Sequence, residues 1–510
     1  MTRAVVIGAG HNGLVAAIHL AEAGLDVTVL EAAEHPGGAT RSAQVTRPGF
    51  VHDLHAAFMP MTIASPAMRE LELERHGVGW VTPPVVAAHP FEDGSAIALH
   101  RDLDATVASL GDRAGAGWRA AMAELLPVAD ALVTTILSPL PPVRPVPAVA
   151  LGLRGALVDW TRRFVGSVQS LGLELFDGDP RATAWLAASA QHSGLPPTAA
   201  GSGAFGMLLQ LVGQRHGWPL VRGGSGELVA ALVRRAEAAG AHVRCDARVR
   251  EIAVRGGRVA GVRLAGGEEI PADAVVSTVT ARPLAAMLPP GALPGRLERR
   301  LRGWRYGTAA FKIDYALSGP VAWAAAEARE AGVVHVAGEL RALAGSAQAG
   351  ERGVVPARPA LVVGQQSLHD ATRAPNGRQT LYVYGHVPRD HDMPDDEVAG
   401  RIEDQLERFA PGFSSLVLDR AVRPPHVTEC EDPSLVGGDI GGGSYELDQQ
   451  LVLRPHPALM RYRAPLRGLY VAGASVHPGG AVHGVSGRGA ARALLSDRRL
   501  RPWRAPRRAA

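Results

Sequence analysis

The sequence predicts an α/β fold in which a parallel sheet is assembled from separated stretches of chain and an α+β region is inserted between them. Three ordered blocks indicate this, near residues 1–31, 218–277 and 468–495. Each combines short apolar strands with a glycine-rich turn and a helical stretch. The 510 residues exceed one ordinary domain, so we expect at least two.

The first block predicts a complete βαβ unit. Ala4–Ile7 is a short apolar run, typical of a buried parallel strand. Apolar residues then recur at helical spacing from Leu14 to Ala21, and Gly24 supplies a C-terminal cap. Asp26–Leu30 predicts the second strand of the pair.

A glycine motif occupies the turn between the first strand and its helix. Gly8 allows the tight turn, Gly10 lets a pyrophosphate approach the helix N-terminus, and Gly13 lets helix and strand pack closely. Glu31, eighteen residues after Gly13, can accept hydrogen bonds from ribose hydroxyls. Since strand, helix and acid accompany the glycines, we predict a dinucleotide site.

The other two blocks continue the pattern. In the second block a glycine-rich turn leads into a helix over 227–239, and strands follow over 248–255, 258–264 and 274–277. In the third block a strand over 469–472 precedes a glycine-rich turn and a helix over 486–495. We expect both blocks to join the sheet of the first.

The stretches between the blocks are less patterned, punctuated by proline, and favour helix. Phe311–Tyr315 alternates like a strand, with Lys312 and Asp314 on one face. Residues 182–214 suggest buried turns and short helices. Gly201-x-Gly203-x-x-Gly206 lies there and repeats the glycine spacing, but no strand precedes it, so we expect only a turn.

Two further segments carry a family resemblance. Gly37-Gly38 would let the chain pass close beneath a cofactor, and Arg41 can pair with its phosphates. Near the C-terminus stands Gly473-Ala-Ser-Val-His477-Pro-Gly-Gly-Ala-Val482-His483-Gly. These segments resemble the flavin amine oxidase and carotenoid desaturase superfamily, and within it the phytoene desaturase-like branch, also called pyridine nucleotide-disulfide oxidoreductase domain 2-like.

The resemblance implies FAD in a Rossmann-type domain built from discontinuous segments. It implies that the C-terminal turn, with Gly473, Gly479, Gly480 and Val482, wraps the ribityl chain and pyrophosphate, and that the Val249 backbone meets the adenine. The domain boundaries that follow are 1–84, 216–284 and 431–496 for FAD binding, 85–215 and 285–430 for the α+β substrate domain, and 497–510 for a basic tail.

The function that the resemblance implies is FAD-dependent dehydrogenation or desaturation. Hydride would leave a C–C or C–N bond of a lipophilic, isoprenoid-like small molecule for flavin N5. The alternatives are a flavin amine or amino-acid oxidase, a redox-neutral polyene isomerase, and a flavin-free prenyl-binding protein. No second strand, GxGxxG and helix occurs in the sequence, so we expect electrons to pass to oxygen, a quinone or another small acceptor.

Four residues are candidates for catalysis. Lys312 is the only lysine of the chain, and the resemblance implies a lysine on a comparable strand near flavin N5. An ion pair with Asp314 explains it as well. His477 and His483 could contact the flavin or hydrogen-bond structurally. His55 lies where the chain should run under the flavin.

The cysteines and histidines predict little further chemistry. His52 and His55 flank Asp53, but nothing distant completes a metal site, so we predict none. Cys430 could attach flavin covalently, although a small buried hydrophobic role explains it as well. The apolar residues of 131–160 and 182–214 suit either a tunnel for a lipophilic substrate or a core.

Charge limits the partners. Six arginines lie in the last thirteen residues; without them 47 basic residues face 49 acidic ones, so the body does not indicate a nucleic-acid surface. The tail could touch an anionic membrane or stay solvated.

The first strand leaves no room for a signal peptide, so we expect a cytoplasmic protein, with peripheral contact at the inner membrane face as an alternative. The Ala, Gly, Arg and Pro bias suggests a bacterial genome. Oligomeric state is not predicted.

Overall fold

The structure, a computed structural model, describes residues 2–500. In this range the strands are β1 (Arg3–Ile7), β2 (Asp26–Leu30), β3 (Ser42–Ala43), β4 (His52–Asp53), β5 (Trp80–Val81), β6 (Val85–Pro90), β7 (Ala96–His100), β8 (Leu220–Val221), β9 (His242–Arg244), β10 (Val249–Arg255), β11 (Arg258–Leu264), β12 (Glu269–Pro271), β13 (Ala274–Ser277), β14 (Ala309–Leu317), β15 (Ala331–Val336), β16 (Leu361–Gly364), β17 (Gln379–Val387), β18 (Val417–Arg423) and β19 (Leu469–Val471).

The α-helices of the same range are α1 (His11–Glu22), α2 (Pro60–Ala64), α3 (Pro66–Arg69), α4 (Leu103–Leu125), α5 (Ala129–Ile136), α6 (Val146–Leu153), α7 (Leu157–Val165), α8 (Val168–Leu175), α9 (Pro180–Ala190), α10 (Ser202–His216), α11 (Ser225–Ala238), α12 (Ala281–Met287), α13 (Gly295–Arg302), α14 (Leu340–Glu351), α15 (Gln366–His369), α16 (Asp395–Phe409), α17 (Phe413–Leu416), α18 (Pro425–Glu431) and α19 (Val485–Leu500). None of these helices is long and apolar enough to cross a membrane.

A five-stranded parallel sheet holds the three ordered blocks together. Its order is β19, β13, β1, β2, β9, and every neighbouring pair is parallel. Helix α1 packs against α11 and α19 beside it, so chain segments more than 450 residues apart share one apolar core. This is the predicted Rossmann-type sheet of discontinuous segments.

A seven-stranded mixed sheet forms the second layer. Its order is β18, β14, β17, β16, β15, β6, β7, and all pairs are antiparallel except β15 with β6. Residues 285–430 supply five of these strands together with the helices α13 to α18, so the expected helices are present beside a sheet of which the sequence predicted only Phe311–Tyr315. Strands such as β15 are buried along their whole length, and the alternation that marks a half-exposed strand is therefore weak.

The glycine-spaced segment at 201–206 begins a helix. Gly201 precedes α10, while Gly203 and Gly206 lie inside it. A Cβ on Gly203 would stand 2.5 Å from the Arg163 carbonyl oxygen, and one on Gly206 would stand 2.7 Å from Val168 Cγ2. The expected turn is therefore wrong, because these glycines let α10 pack closely on its helical neighbours.

Candidate functional site

A cavity of about 500 Å³ lies between the two large sheets. Three walls enclose it. The glycine wall is formed after the carboxyl ends of strands in the parallel sheet and comprises Gly8, Gly10, Glu31, Gly37, Gly38, Val249, Gly473 and Gly480. The sheet wall is one face of the seven-stranded sheet and comprises Ala310, Lys312, Val333, Val362, Tyr382 and Tyr384. The helix wall comprises Ile136, Leu137, Phe205, Leu208 and Leu209.

The first glycine motif leaves room for a ligand at the start of α1. A Cβ on Gly8 would stand 2.4 Å from Thr278 Oγ1, and one on Gly13 would stand 1.9 Å from the Gly8 carbonyl oxygen, so both positions are needed for packing. A Cβ on Gly10 would have the Gly37 carbonyl oxygen as its nearest neighbour, at 3.8 Å. Gly10 therefore keeps open space beside the N-terminus of α1, where backbone N–H groups favour a phosphate.

Glu31 is fixed at the end of β2 by the backbone. Its two carboxylate oxygens accept hydrogen bonds from Ala9 N at 2.8 Å and Ala33 N at 3.0 Å. A carboxylate offers about four lone-pair sites, so acceptor capacity remains for ribose hydroxyls. Gly37 pairs with Gly10 in an isolated parallel bridge, which brings the second glycine pair against the first motif.

The C-terminal glycine turn closes the same wall. A Cβ on Gly473 would stand 2.2 Å from the Thr278 carbonyl oxygen, and one on Gly480 would stand 2.5 Å from Tyr445 Oη. The Val482 carbonyl accepts from Thr62 Oγ1 at 2.5 Å, while Val482 itself borders the cavity. The N-terminal glycine motif and the C-terminal glycine turn, which are distant in sequence, thus form one continuous backbone surface along the cavity.

Several predicted cofactor residues support this wall without lining it. Gly13 and Gly479 pack behind the turns, the latter beside Arg454. The Arg41 guanidinium donates to the carbonyl oxygens of Gly38 at 3.0 Å and Glu431 at 3.4 Å, so it braces the loop that carries Gly38. A contact between Arg41 and phosphates stays a prediction.

The glycine wall fits an extended dinucleotide. Open backbone at a helix N-terminus, a carboxylate with free acceptor sites and the Val249 strand end all border one cavity. The glycines that line it could not carry side chains without filling the cavity or displacing neighbouring protein atoms. These residues fit FAD, whose ribose and pyrophosphate would be held by the glycine wall.

Lys312 lies on the sheet wall and is almost fully buried. Its Nζ pairs with Asp314 Oδ2 and stands 4.3 Å from the centre of the Tyr382 ring. Burial lowers the pKa of Lys312 to about 8, against the opposing effect of Asp314. The ion pair expected from the sequence is present, and Lys312 also borders the cavity. A position near flavin N5 stays a prediction.

A buried charge network holds Asp314. Arg423 Nη1 donates to Asp314 Oδ2 at 3.1 Å, and His52 Nδ1 stands 3.6 Å from Asp314 Oδ1. Burial lowers the pKa of His52 to about 4, so this imidazole is neutral at pH 7. The carboxylate is thus held chiefly by two cations, which leaves Lys312 as the member of the network that also reaches the cavity.

The three candidate histidines differ in whether their ring nitrogens are hydrogen-bonded. His55 borders the cavity, its Nε2 has no hydrogen-bond partner within residues 2–500, and burial lowers its pKa well below the usual value. His483 also borders the cavity, but Nε2 donates to the Gly479 carbonyl and Nδ1 accepts from Val485 N. His477 Nε2 donates to the Ser138 carbonyl. The geometry favours structural roles for His477 and His483.

Cys430 does not fit its expected environment. The side chain is exposed and does not border the cavity, so the interpretation as a small buried hydrophobic residue was wrong. Cys430 lies on α18, which begins at Pro425, and the buried residues of this helix are Pro425 and Thr428.

Among residues 2–500, no group of three or more His, Cys, Asp or Glu side chains could hold a metal ion.

Sequence reasoning missed part of the site. His192, Tyr382 and Tyr384 border the cavity, and so do His11 and Asp432. Tyr382 and Tyr384 had a signal, because two aromatic residues at a spacing of two predict one face of a strand. The lone His192 had none, since its neighbours come from strands distant in sequence.

Comparisons with known proteins agree with this geometry. A family model described as flavin containing amine oxidoreductase matches residues 13–495. Pyridine nucleotide-disulfide oxidoreductase domain-containing protein 2 of Rattus norvegicus is 28% identical over 546 residues, covering 97% of this chain and 93% of that protein. Hydroxyneurosporene desaturase of Cereibacter sphaeroides is 29% identical over 525 residues, covering 97% and 98%.

The fold has matches among solved structures. Wild-type putrescine oxidase bound to putrescine superimposes with a TM-score of 0.64 at 16% identity, covering 98% of this chain and 99% of that one. At this identity the likeness concerns the fold alone. It agrees with the Rossmann-type sheet and the second, mixed sheet described above.

Proposed function

The chain belongs to the flavin-containing amine oxidoreductase family, and from that premise we propose that it desaturates a largely apolar, isoprenoid-like small molecule. As a member of the phytoene desaturase-like group it is an FAD-dependent oxidoreductase, which confirms the predicted cofactor and enzyme class. The flavin-free prenyl-binding alternative is thereby excluded. The substrate and the bond that reacts are the proposal.

The composition of the cavity carries this proposal. The helix wall is wholly apolar, and the sheet wall adds Ala310, Val333 and Val362. Burying apolar surface at such a site is favourable by about 25 cal/mol per Å². A substrate with many polar groups would lose more hydration than the few polar side chains of these walls could replace.

The charge of the cavity disfavours the amine oxidase alternative. Among the sheet-wall and helix-wall residues, all of which lie within residues 2–500, Lys312 is the one that can carry a positive charge. Its ammonium form would repel a substrate ammonium in a poorly solvated space. The printed name of the relative from Cereibacter sphaeroides denotes a desaturase, which supports a C–C bond as the reacting bond.

Lys312 has a defined task in this proposal. Desaturation removes a hydride from one carbon and a proton from its neighbour, and FAD supplies the hydride acceptor when bound. Lys312 Nζ, neutral above pH about 8, takes the proton. Asp314 and Arg423 position the amine, while the apolar walls hold the substrate and exclude water.

Anaerobic reduction of the holoenzyme tests the proposal. Phytoene and squalene in detergent micelles, and benzylamine and putrescine in buffer, would each be mixed with the oxidised enzyme while the visible flavin band is recorded. We expect bleaching by a polyene and none by either amine. Bleaching by an amine alone would overturn the proposal. Isomerisation of a polyene without net bleaching would replace desaturation by redox-neutral chemistry.

We further propose that the protein is cytoplasmic with peripheral contact at the inner membrane face. Residues 501–510 of the basic tail lie outside the described residues, but a second surface supports contact. Val143, Leu151 and Val158 are 71%, 73% and 76% exposed, and Arg144 and Arg154 lie among them in sequence. This segment follows Ile136 and Leu137 of the helix wall, so an apolar substrate would have a short path from lipid.

Co-sedimentation with phospholipid vesicles tests this localisation. We expect binding to vesicles that contain phosphatidylglycerol and weaker binding to phosphatidylcholine alone. The double variant Leu151→Ser and Val158→Ser should reduce binding while flavin content stays unchanged. A wild-type protein that remains in the supernatant with both vesicles would contradict the proposal.

A further inference from the structure

One corner of the cavity holds a chain of three polar side chains. Tyr384 on the sheet wall shares a hydrogen bond of 3.1 Å between its hydroxyl and His192 Nδ1. His192 Nε2 lies 2.9 Å from His335 Nε2. Tyr384 and His192 border the cavity, whereas His335 is buried behind them on β15. Trp218 packs edge-on against both imidazoles, with ring centres 5.7 and 5.8 Å away.

Both imidazoles of this chain are neutral. Burial lowers the pKa of His192 to about 4 and that of His335 well below its usual value. Two neutral rings that meet through their Nε2 atoms share one proton, so one ring donates and the other accepts. The direction of that bond decides what Tyr384 presents to the cavity.

The two directions give Tyr384 opposite hydrogen-bonding roles. When His335 donates, the proton of His192 resides on Nδ1 and is donated to the Tyr384 oxygen, so the tyrosine proton is free for another acceptor. When His192 donates to His335, its Nδ1 accepts the tyrosine proton, and lone pairs of the Tyr384 oxygen are free. Among residues 2–500, His192 is the one hydrogen-bond partner of that hydroxyl.

The corner begins one strand away from Lys312. Across the sheet, Lys312 is paired with Tyr384, Tyr384 with Val362, and Val362 with His335. Tyr384 is therefore the cross-strand neighbour of Lys312, whereas β15 with His335 lies three strand spacings from β14, about 14 Å. A group bound by Tyr384 would lie beside Lys312 on the same face of the sheet, close to the bond that Lys312 serves. Val362 and the apolar helix wall lie around it.

We infer that Tyr384, backed by His192 and His335, binds a neutral hydroxyl or carbonyl oxygen carried by an otherwise apolar substrate. This rests on the proposed function, since it assigns a polar group of the same substrate. A carbonyl would accept the tyrosine proton, and a hydroxyl would donate to the tyrosine oxygen. Either bond satisfies a polar atom that would otherwise lose hydration in the cavity.

The corner disfavours charged end groups. A carboxylate or an ammonium needs a counter-charge when it leaves water. His192, His335 and Tyr384 are all neutral, because burial also raises the pKa of Tyr384. His386, the next titratable group on the same face of β17, is neutral too, since burial lowers its pKa to about 4. Lys312, the cross-strand neighbour of Tyr384, is charged, but its ammonium is already paired with Asp314. Selection would therefore favour an alcohol, aldehyde or ketone over an acid or amine.

Calorimetric titration of the oxidised holoenzyme tests the inference. The probes are octane, 1-octanol, octanal, octanoate and octylamine. We expect 1-octanol and octanal to bind about tenfold more tightly than octane, the effect of one well-made hydrogen bond. In Tyr384→Phe all three neutral probes should bind with equal affinity. His335→Leu should give a partial loss of the same preference, because it removes the partner of His192.

Tyr315→Phe is the matched control, since Tyr315 lies on the opposite, buried face of β14 and its hydroxyl contacts Glu403. It should keep the wild-type preference. Equal binding of octane and 1-octanol to the wild type, or an unchanged preference in Tyr384→Phe, would overturn the inference and leave the proposed function intact. Binding of octanoate or octylamine alone would overturn both.

Discussion

The glycine wall and the sheet wall face each other across one cavity, and they differ in whether backbone or side chains form their surface. Backbone forms most of the glycine wall, where Gly8 and Gly473 let neighbouring segments pack closely and Gly10 leaves space for a ligand to lie against peptide groups. Side chains form the sheet wall, where Lys312, Tyr382 and Tyr384 project from two strands. The first wall tolerates little substitution, whereas the second sets chemistry and selectivity.

The difference teaches where each property of the enzyme resides. Backbone that is shaped by glycine recognises a common cofactor, because phosphate and ribose require few side chains. Side chains on a rigid sheet distinguish among substrates, since they differ in size, charge and hydrogen-bonding capacity. Substitutions in the two walls should therefore fail in different ways.

The largest effect is expected from Gly13→Ala behind the glycine wall. The new Cβ would stand 1.9 Å from the Gly8 carbonyl oxygen, so α1 would have to move away from β1. We expect the free energy of unfolding to fall by about 3 kcal/mol and the protein to purify without FAD. Thermal unfolding and flavin absorbance measure both.

Gly400→Ala in α16 is the control for this variant, because its Cβ would meet no atom within 4 Å. It should keep the full flavin content and gain up to about 1 kcal/mol of stability. A Gly13→Ala protein with wild-type flavin content and stability would show that the glycine wall tolerates side chains after all.

Lys312 on the sheet wall should control rate instead of cofactor content. Lys312→Met should keep its FAD but slow anaerobic flavin bleaching by a polyene about 100-fold, the usual contribution of a general base. Burial lowers the pKa of Lys312 to about 8, so the wild-type rate should rise with pH through that value as the amine loses its proton. Stopped-flow absorbance across the pH range measures this.

Lys312→Arg separates a base from a fixed charge. Arginine keeps the cation beside Asp314 but does not release its proton, so this variant should be as slow as Lys312→Met. Wild-type rates in Lys312→Arg would show that charge alone matters and would remove the lysine from proton transfer.

The smallest effect is expected from Gly10→Ala, which sharpens the comparison. Its Cβ would have no protein atom closer than 3.8 Å, so the fold should be unaffected, yet the methyl group would occupy space beside the start of α1. We expect FAD to bind about tenfold more weakly, a loss of about 1.4 kcal/mol, while the apoprotein melts at the wild-type temperature. Equilibrium titration of apoprotein with FAD gives the affinity. An unchanged affinity would place the phosphates elsewhere.

The cofactor and the parallel sheet could be predicted because their signals are local. Strand, glycine turn and helix lie within thirty residues in the first block, and Glu31 follows directly. Periodicity and glycine spacing are properties of neighbours along the chain. At Gly201 the absence of a preceding strand correctly argued against a second dinucleotide site, but the role of these glycines in helix packing was not predicted.

The sheet wall could be predicted only in fragments because its neighbours are distant in sequence. Lys312 was notable through composition, as the lone lysine, yet His192 and His335 meet across 143 residues. β15, which carries His335, is buried along its whole length, and its sequence therefore lacks the alternation that identified Phe311–Tyr315. Tertiary contacts, which no local pattern encodes, create this part of the site.

Strand β14 also bears on how new activities could arise. Its odd-numbered residues, such as Phe311, pack into the core against α16, whereas its even-numbered residues, such as Lys312, face the cavity side. A combinatorial library restricted to the even positions that border the cavity, Ala310, Val362, Tyr382 and Tyr384, would therefore vary the binding surface while leaving the core on the opposite face untouched. In this sheet, side chains on one face pack in the core and preserve folding, whereas side chains on the other face border the cavity and are open to directed evolution.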